Sequence, residues 1–154
     1  MKLALLALGK VTIKARVLAD GAGLHVVSGA GEDWVFCSTR PVNWADGSAA
    51  RFVGQVGVIR RHQGVSEAAL IVGSKVSSSD LLIHGAGPVA VRVEPGSLCG
   101  QADGAMRRVV VRSRLIDWRR AKLTLDGKPT AAAAADGGSW DIDLEPGPHR
   151  FEIR

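Results

Sequence analysis

A short run of alternating residues that ends in Glu-Pro-Gly occurs twice and constrains the fold more than any other feature. It spans residues 89–96 and 140–147. Apolar side chains at every second position predict strands with one buried face. Proline fixes φ at the first corner of a turn and glycine accepts a positive φ at the second, so each run predicts a strand and a tight turn. Phe151 and Ile153 resume the alternation, so residues 140–154 are predicted to form a closing β-hairpin.

The rest of the chain has the same character. Asp-Gly, a strong turn signal, recurs at positions 20, 46, 103, 126 and 136. The alanine run at 131–135 is too short for a helix of its own and is predicted as strand or loop. About a dozen short strands between such turns predict an all-β fold, an antiparallel sandwich or stacked sheets. A single domain over 1–154 is expected, with an alternative boundary near 100–105 and a smaller hairpin unit over 106–154.

Three local expectations follow from the pattern. Residues 41–47 are predicted as a loop that carries Trp44. The strand over 51–61 contains two glycines, which predict a bulge or a close backbone approach. Cys37 follows an apolar run and is predicted to be buried, and whether it pairs with Cys99 stays open. The N-terminal apolar run is interpreted as the start of the first strand, with a cleaved signal peptide as the minority alternative.

The chain carries a net charge of +5, and its basic residues are concentrated in one segment. Residues 107–122 contain seven basic side chains against Asp117 alone. With Val109 and Val111 facing inward, Arg108, Arg112 and Arg114 share the outer face of a strand, and Trp118 follows near a turn. Such a stripe suits a polyanion, because guanidinium groups pair with carboxylate, sulfate or phosphate and indole rings stack. The alternative is a salt-bridged face neutralised by the acidic residues at 141, 143 and 145.

A second basic group, Arg60-Arg61-His62, lies beside a predicted turn. With Trp44, which lies near a turn among polar neighbours, it completes the set of candidate ligand-binding residues. No histidine or carboxylate has a metal-ligand spacing, so no metal site is predicted. No nucleophile elbow or complete dinucleotide fingerprint is present, so no catalytic residue and no cofactor are predicted.

The stretch 51–62, RFVGQVGVIRRH, and its continuation through 68–74, AALIVGS, resemble the C-terminal β-sheet region of heparinase II/III-type polysaccharide lyases. The resemblance covers about the central third of the chain. It implies an accessory β portion without the helical toroid, and the family's catalytic tyrosine has no counterpart because the chain contains no tyrosine. It also implies acidic glycans as ligands and a secreted or periplasmic location; without it a cytoplasmic location is expected.

The sequence therefore favours a non-catalytic β module, accessory to polysaccharide processing, that binds an acidic polysaccharide or packs on a partner catalytic domain. One alternative is a structural protein that assembles with other copies through its sheet edges. Another is a lyase fragment with residual activity at Arg60, Arg61 and His62. Neither membrane insertion nor nucleic-acid binding is expected.

Overall fold

A computed structural model describes residues 13–103, 108–130, 134–135 and 138–154 of the chain. These residues form an all-β structure, which confirms the predicted fold class, and one short 3₁₀ turn at Ala19–Gly21. The predicted N-terminal start lies mostly outside the described residues. The strands of the described part are β1 (Lys14–Leu18), β2 (Gly23–Ser28), β3 (Gly31–Asp46), β4 (Ala50–His62), β5 (Val65–Ser78), β6 (Leu81–His84), β7 (Val89–Glu94), β8 (Ser97–Ala102), β9 (Arg108–Ser113), β10 (Leu123–Leu125), β11 (Lys128–Thr130), β12 (Ala134–Ala135), β13 (Ser139–Asp143) and β14 (His149–Ile153).

The strands pair antiparallel in one sheet that divides at β5. The main sheet has the order β1-β2-β3-β4-β5-β7-β8-β14-β10-β11. A side branch with the order β6-β9-β13-β12 leaves it at β5. The division arises because β5 is long enough to pair with β7 through Ser66–Leu70 and with β6 through Lys75–Ser77. Backbone pairing therefore makes one continuous sheet, and the division into the two layers of a sandwich stays a prediction.

One hydrophobic core is shared by the main sheet and the side branch. It contains Val91 and Phe151 of the main sheet together with Ile83 and Val111 of the side branch, all nearly inaccessible to solvent. Pairing of β14 with β8 and of β9 with β6 also joins the segments on the two sides of residues 100–105. Burial of these apolar side chains is the main force that holds the two parts of the sheet together.

The backbones of β4 and β5 approach closely where both strands carry glycine. A Cβ atom on Gly54 would lie 2.5 Å from the carbonyl oxygen of Val72, and one on Gly73 would lie 2.6 Å from that of Val53. The β4–β5 register shifts around Gly54, which confirms the predicted irregularity in this strand. Bulges bend strands and increase their twist, so the two far ends of β5 can pair with different neighbours.

The loop predicted at 41–47 is wrong, because β3 continues to Asp46. Its residues Val42–Asp46 pair with β4 after an irregular stretch that begins at Cys37. Pro41, which cannot donate a backbone hydrogen bond, lies in that stretch and not in the paired ladder. The predicted burial of Cys37 is also wrong. Trp34 and Phe36 face the core, so strict alternation turns Cys37 outward, and both it and Cys99 are exposed free thiols.

The predicted closing hairpin is wrong as well. Strand β13 pairs with β9 in the side branch, whereas β14 pairs with β8 and β10 in the main sheet. In the first Glu-Pro-Gly segment the turn closes between Glu94 and Ser97. The position equivalent to Ser97 in the second segment is Pro148, which has no N–H to donate across a hairpin. The second segment therefore carries the chain from one part of the sheet to the other.

His149 fixes the end of this crossing. Its Nδ1 lies 2.7 Å from Asp126 Oδ2, and its Nε2 lies 2.8 Å from the carbonyl oxygen of Glu145. Both partners are acceptors, so both ring nitrogens donate and the imidazole is held in its charged form. Asp126, in the β10–β11 turn, also accepts a hydrogen bond of 2.8 Å from the backbone N–H of Arg150. The crossing segment, β10 and β14 are thus tied together.

We expect Gly73→Ala to destabilise the fold. The added methyl group would overlap backbone atoms of β4, and overpacking of this kind costs about 1–3 kcal/mol. For a chain of this size the melting temperature should fall by roughly 2–4 °C per kcal/mol. Gly29→Ala is the matched control, because a Cβ atom there meets nothing within 4 Å. Thermal unfolding followed by circular dichroism measures both variants, and equal melting temperatures would contradict the close approach of the β4 and β5 backbones.

The His149–Asp126 pair predicts a pH-dependent stability. The hydrogen bond to Asp126, followed by that to the Glu145 carbonyl oxygen, raises the pKa of His149 above 6.5. The stability that His149 adds to the fold is therefore complete below pH 6.5 and is lost as the pH rises through the folded-state pKa. The hydrogen bond from the Arg150 backbone, followed by that from His149, lowers the pKa of Asp126 below 3.8. The stability that Asp126 adds to the fold is therefore present above pH 3.8 and is lost as the pH falls through the folded-state pKa.

We expect the melting temperature of the natural chain to exceed that of His149→Gln by the largest margin between pH 3.8 and pH 6.5. The advantage should shrink toward alkaline pH, where the imidazole loses its charge. His84→Gln, at an exposed position without a side-chain partner among the described residues, controls for the chemical change. A constant difference between the natural chain and His149→Gln at every pH would contradict a charged His149.

Candidate functional site

Two of the three arginines of the predicted stripe, Arg108 and Arg112, lie on the outer face of β9, and Arg114 follows the end of the strand. Val109 and Val111 are buried, and Arg108 and Arg112 are exposed, as the alternation predicts. Arg108 donates a hydrogen bond to Asp141 of the neighbouring β13, and this bond and the charge of Asp141 raise the pKa of Arg108. Arg112 has no side-chain partner among the described residues. Of the two arginines on this face, one is therefore neutralised by the acidic strand and one is available.

Arg114 and Arg61 converge on the carboxylate of Asp80. Arg114 Nε lies 2.5 Å from Oδ1, and Arg61 Nε lies 3.6 Å from Oδ2. The hydroxyl of Ser66 donates to the same Oδ2 at 3.1 Å. The Asp80 side chain is mostly buried, with 13% of its surface exposed. Its carboxylate links β4, β5 and the segment after β9. Two of the predicted ligand-binding arginines thus hold strands together.

Arg60 and His62 share a different carboxylate. Arg60 Nε and His62 Nε2 each lie 3.0 Å from Oδ1 of Asp33, which is on the neighbouring β3. Arg60 also forms an ion pair with Glu67 of β5, with Nη1 3.8 Å from Oε2. The predicted Arg60-Arg61-His62 group is therefore divided between two carboxylates and does not form one basic surface.

The two predicted stacking tryptophans pack against the core. Trp44 lies in β3 with its ring 5.2 Å from that of Phe36. Trp118 donates its indole N–H to the carbonyl oxygen of Ser113 at 2.6 Å, and its ring lies 6.3 Å from that of Trp140. Both are half-buried, so each has part of its surface committed to packing. Trp44 lies on β3 of the main sheet, whereas Trp118 is hydrogen-bonded to the end of β9 in the side branch.

A groove with a cavity volume of about 590 Å³ crosses the outer face of the main sheet. Its floor is low because Ala69 of β5 and Ala90 of β7 are directly opposite each other. Charged side chains rise beside this floor from β4, β5, β7 and β14. The residues that form the polar lining are Arg60, Glu67, Arg92, Cys99, Gln101, Thr124, Arg150 and Glu152.

Arg150 and Gln101 are two polar side chains of this lining that remain available. They are opposite each other on β14 and β8, and neither side chain has a hydrogen-bond or ion-pair partner among the described residues. Both also line a second concavity of about 570 Å³, together with Ala90, so the two concavities adjoin at these residues. The other arginines of the groove are engaged: Arg60 with Asp33, and Arg92 with Glu67 at 3.1 Å.

Sequence reasoning missed Arg150 and Gln101. Alternation with Phe151 and Ile153 does place Arg150 on an outer face. The pairing of β14 with β8, which brings Gln101 beside it, joins strands about fifty residues apart and has no local signal. The sequence also predicts Arg150 in a closing hairpin, which the structure does not form.

Comparisons of the chain with protein-family models, with curated proteins and with solved structures found no match. The resemblance to heparinase II/III-type lyases therefore stays a prediction from sequence. Within the described ranges, no group of three or more His, Cys, Asp or Glu side chains is arranged to hold a metal ion. In the same part of the chain, no helix has the length and hydrophobicity needed to cross a bilayer.

Proposed function

We propose that this chain is a non-catalytic β module that binds an acidic glycan along the outer face of the main sheet. The observation that carries the proposal is the pair formed by Arg150 and Gln101. These residues are opposite each other on β14 and β8, both line the two concavities, and neither side chain has a partner among the described residues. An unpaired guanidinium beside an unpaired amide is ready to exchange water for a ligand without breaking an internal ion pair.

The chemistry of the pair suits a sugar acid. A guanidinium group binds a carboxylate or sulfate through two parallel hydrogen bonds, with both geometric and electrostatic selectivity. A glutamine amide donates and accepts at the same time, which matches the hydroxyl groups of a sugar ring. Arg150 supplies the first function and Gln101 the second, from adjacent positions on neighbouring strands.

The shape of the site favours an extended ligand. Ala90, Gln101 and Arg150 line both concavities, so a chain that lies across them can contact both without leaving the surface. The alanine floor lets such a chain approach the sheet closely. The net charge of +5 also favours the approach of a polyanion at low salt.

The proposal places the ligand on the main sheet and not on the arginine stripe of the side branch. Arg108 and Arg114 are already paired with Asp141 and Asp80. A ligand on the stripe would compete with these carboxylates, whereas Arg150 has no such competitor among the described residues.

We expect Arg150→Ala to weaken binding to a soluble polyuronate by about tenfold or more, because a hydrogen bond to a charged group contributes about 1.5–3 kcal/mol. Gln101→Ala should weaken it less, since a neutral hydrogen bond contributes about 0.5–1.5 kcal/mol. Isothermal titration calorimetry on a series of polyuronates and sulfated glycans, at two salt concentrations, measures both effects.

Arg112→Ala is the matched control, because Arg112 is also exposed and without a partner among the described residues but lies on the side branch. Its binding should equal that of the natural chain apart from a small change due to net charge. Loss of binding in Arg112→Ala but not in Arg150→Ala would move the site to the arginine stripe. No binding to any acidic glycan of the series would contradict the proposed function.

A further inference from the structure

Exposed aliphatic side chains form a ridge beside the groove on the same outer face. Val35 is 44% exposed, and Ile71 and Val72 are each 46% exposed. Leu24, Val35 and Val58 lie side by side on β2, β3 and β4, as the strand register shows. A contiguous apolar surface of this kind on a folded domain commonly marks an interaction site.

The ridge and the alanine floor occupy one continuous row across the sheet. Val58 of β4 is opposite Ala69 of β5, which is opposite Ala90 of β7. In this row the large side chains therefore lie on β2–β4 and the small ones on β5 and β7, while Ile71 and Val72 of β5 lie outside the row. The side chains of this row project far from the sheet on β2–β4 and only slightly on β5 and β7, and the step lies between β4 and β5.

The neighbouring row of the same face is charged and alternates in sign. Asp33, Arg60, Glu67 and Arg92 follow one another on β3, β4, β5 and β7. Adjacent members are paired, at 3.0 Å between Arg60 and Asp33 and at 3.1 Å between Arg92 and Glu67. When the row is read in the opposite direction, each position therefore carries the opposite charge.

We propose that this face binds a second copy of the chain, with a two-fold axis parallel to the strands between β4 and β5. That rotation places Val58 of one copy over Ala69 of the other, and Val35 over Ala90, so the ridge of each copy fills the floor of its partner. It also places Arg60 opposite Glu67 and Asp33 opposite Arg92. Shape and charge are both self-complementary, as an interface between identical subunits requires.

The size of the face fits a reversible dimer. Six strands about 4.8 Å apart and three rows about 7 Å apart give a footprint on the order of 600 Å² for each copy. Stable complexes bury about 800 Å² for each partner, so this area is at the low end of specific interfaces. We therefore expect a reversible dimer whose copies separate on dilution.

Sedimentation velocity from about 1 to about 500 µM should show a concentration-dependent shift from monomer to dimer, by mass action. Val35→Asp would place a carboxylate against Ala90 of the other copy and should weaken association at least tenfold. Val35 is outward-facing and exposed, so the variant should fold, which circular dichroism checks. Ala90→Leu would fill the floor and should weaken association by a different route.

Ile13→Asp is the matched control, since Ile13 is an exposed aliphatic residue, 38% accessible, outside the proposed footprint. It should associate like the natural chain. A monomer at every concentration would overturn the inference, and so would a dimer that Val35→Asp and Ala90→Leu leave intact.

Failure of this inference can be told apart from failure of the proposed function. Arg150 lies on β14, outside the footprint on β2–β5, β7 and β8, so Arg150→Ala should still dimerise. Val35→Asp should still bind the polyuronate, because Val35 does not line the groove. Dimerisation without glycan binding would overturn only the proposed function, and glycan binding without dimerisation only the inference.

Discussion

The close contact between the backbones of β4 and β5 at Gly54 and Gly73 is the constraint on which the rest of the structure depends. Only hydrogen atoms fit between these glycines and the facing carbonyl oxygens. The irregular pairing there lets β5 bend and pair with β7 at one end and β6 at the other. Both parts of the sheet can then bury their apolar faces in one core. Side chains at these positions would separate the strands and remove that common core.

The charged residues show how the fold determines which side chains remain available to a ligand. Alternation alone placed Arg108 and Arg112 on an outer face, and this is correct. It could not show that Asp141 and Asp80 neutralise Arg108 and Arg114, because those carboxylates come from segments about thirty residues away. Arg150 was equally visible in sequence, yet its unpaired state depends on which strands flank β14. Availability is thus a property of the sheet order and not of local sequence.

The outer face of the main sheet combines two kinds of surface. The alanine floor and the Arg150–Gln101 pair form a concave polar site, and the ridge beside them is convex and apolar. A glycan and a second copy of the chain would both cover the floor around Ala90, so the two are alternative occupants of that floor.

The two Glu-Pro-Gly segments show what each level determines. The sequence by itself determined that both contain a strand with one buried face followed by a turn, because alternation and turn chemistry act within a few residues. Only the tertiary structure decided where each turn leads. After Gly96, Ser97 has an N–H to donate and β8 folds back on β7. After Gly147, Pro148 has no N–H to donate. Strand β14 therefore pairs with β8 and β10 in the main sheet, whereas β13 pairs with β9.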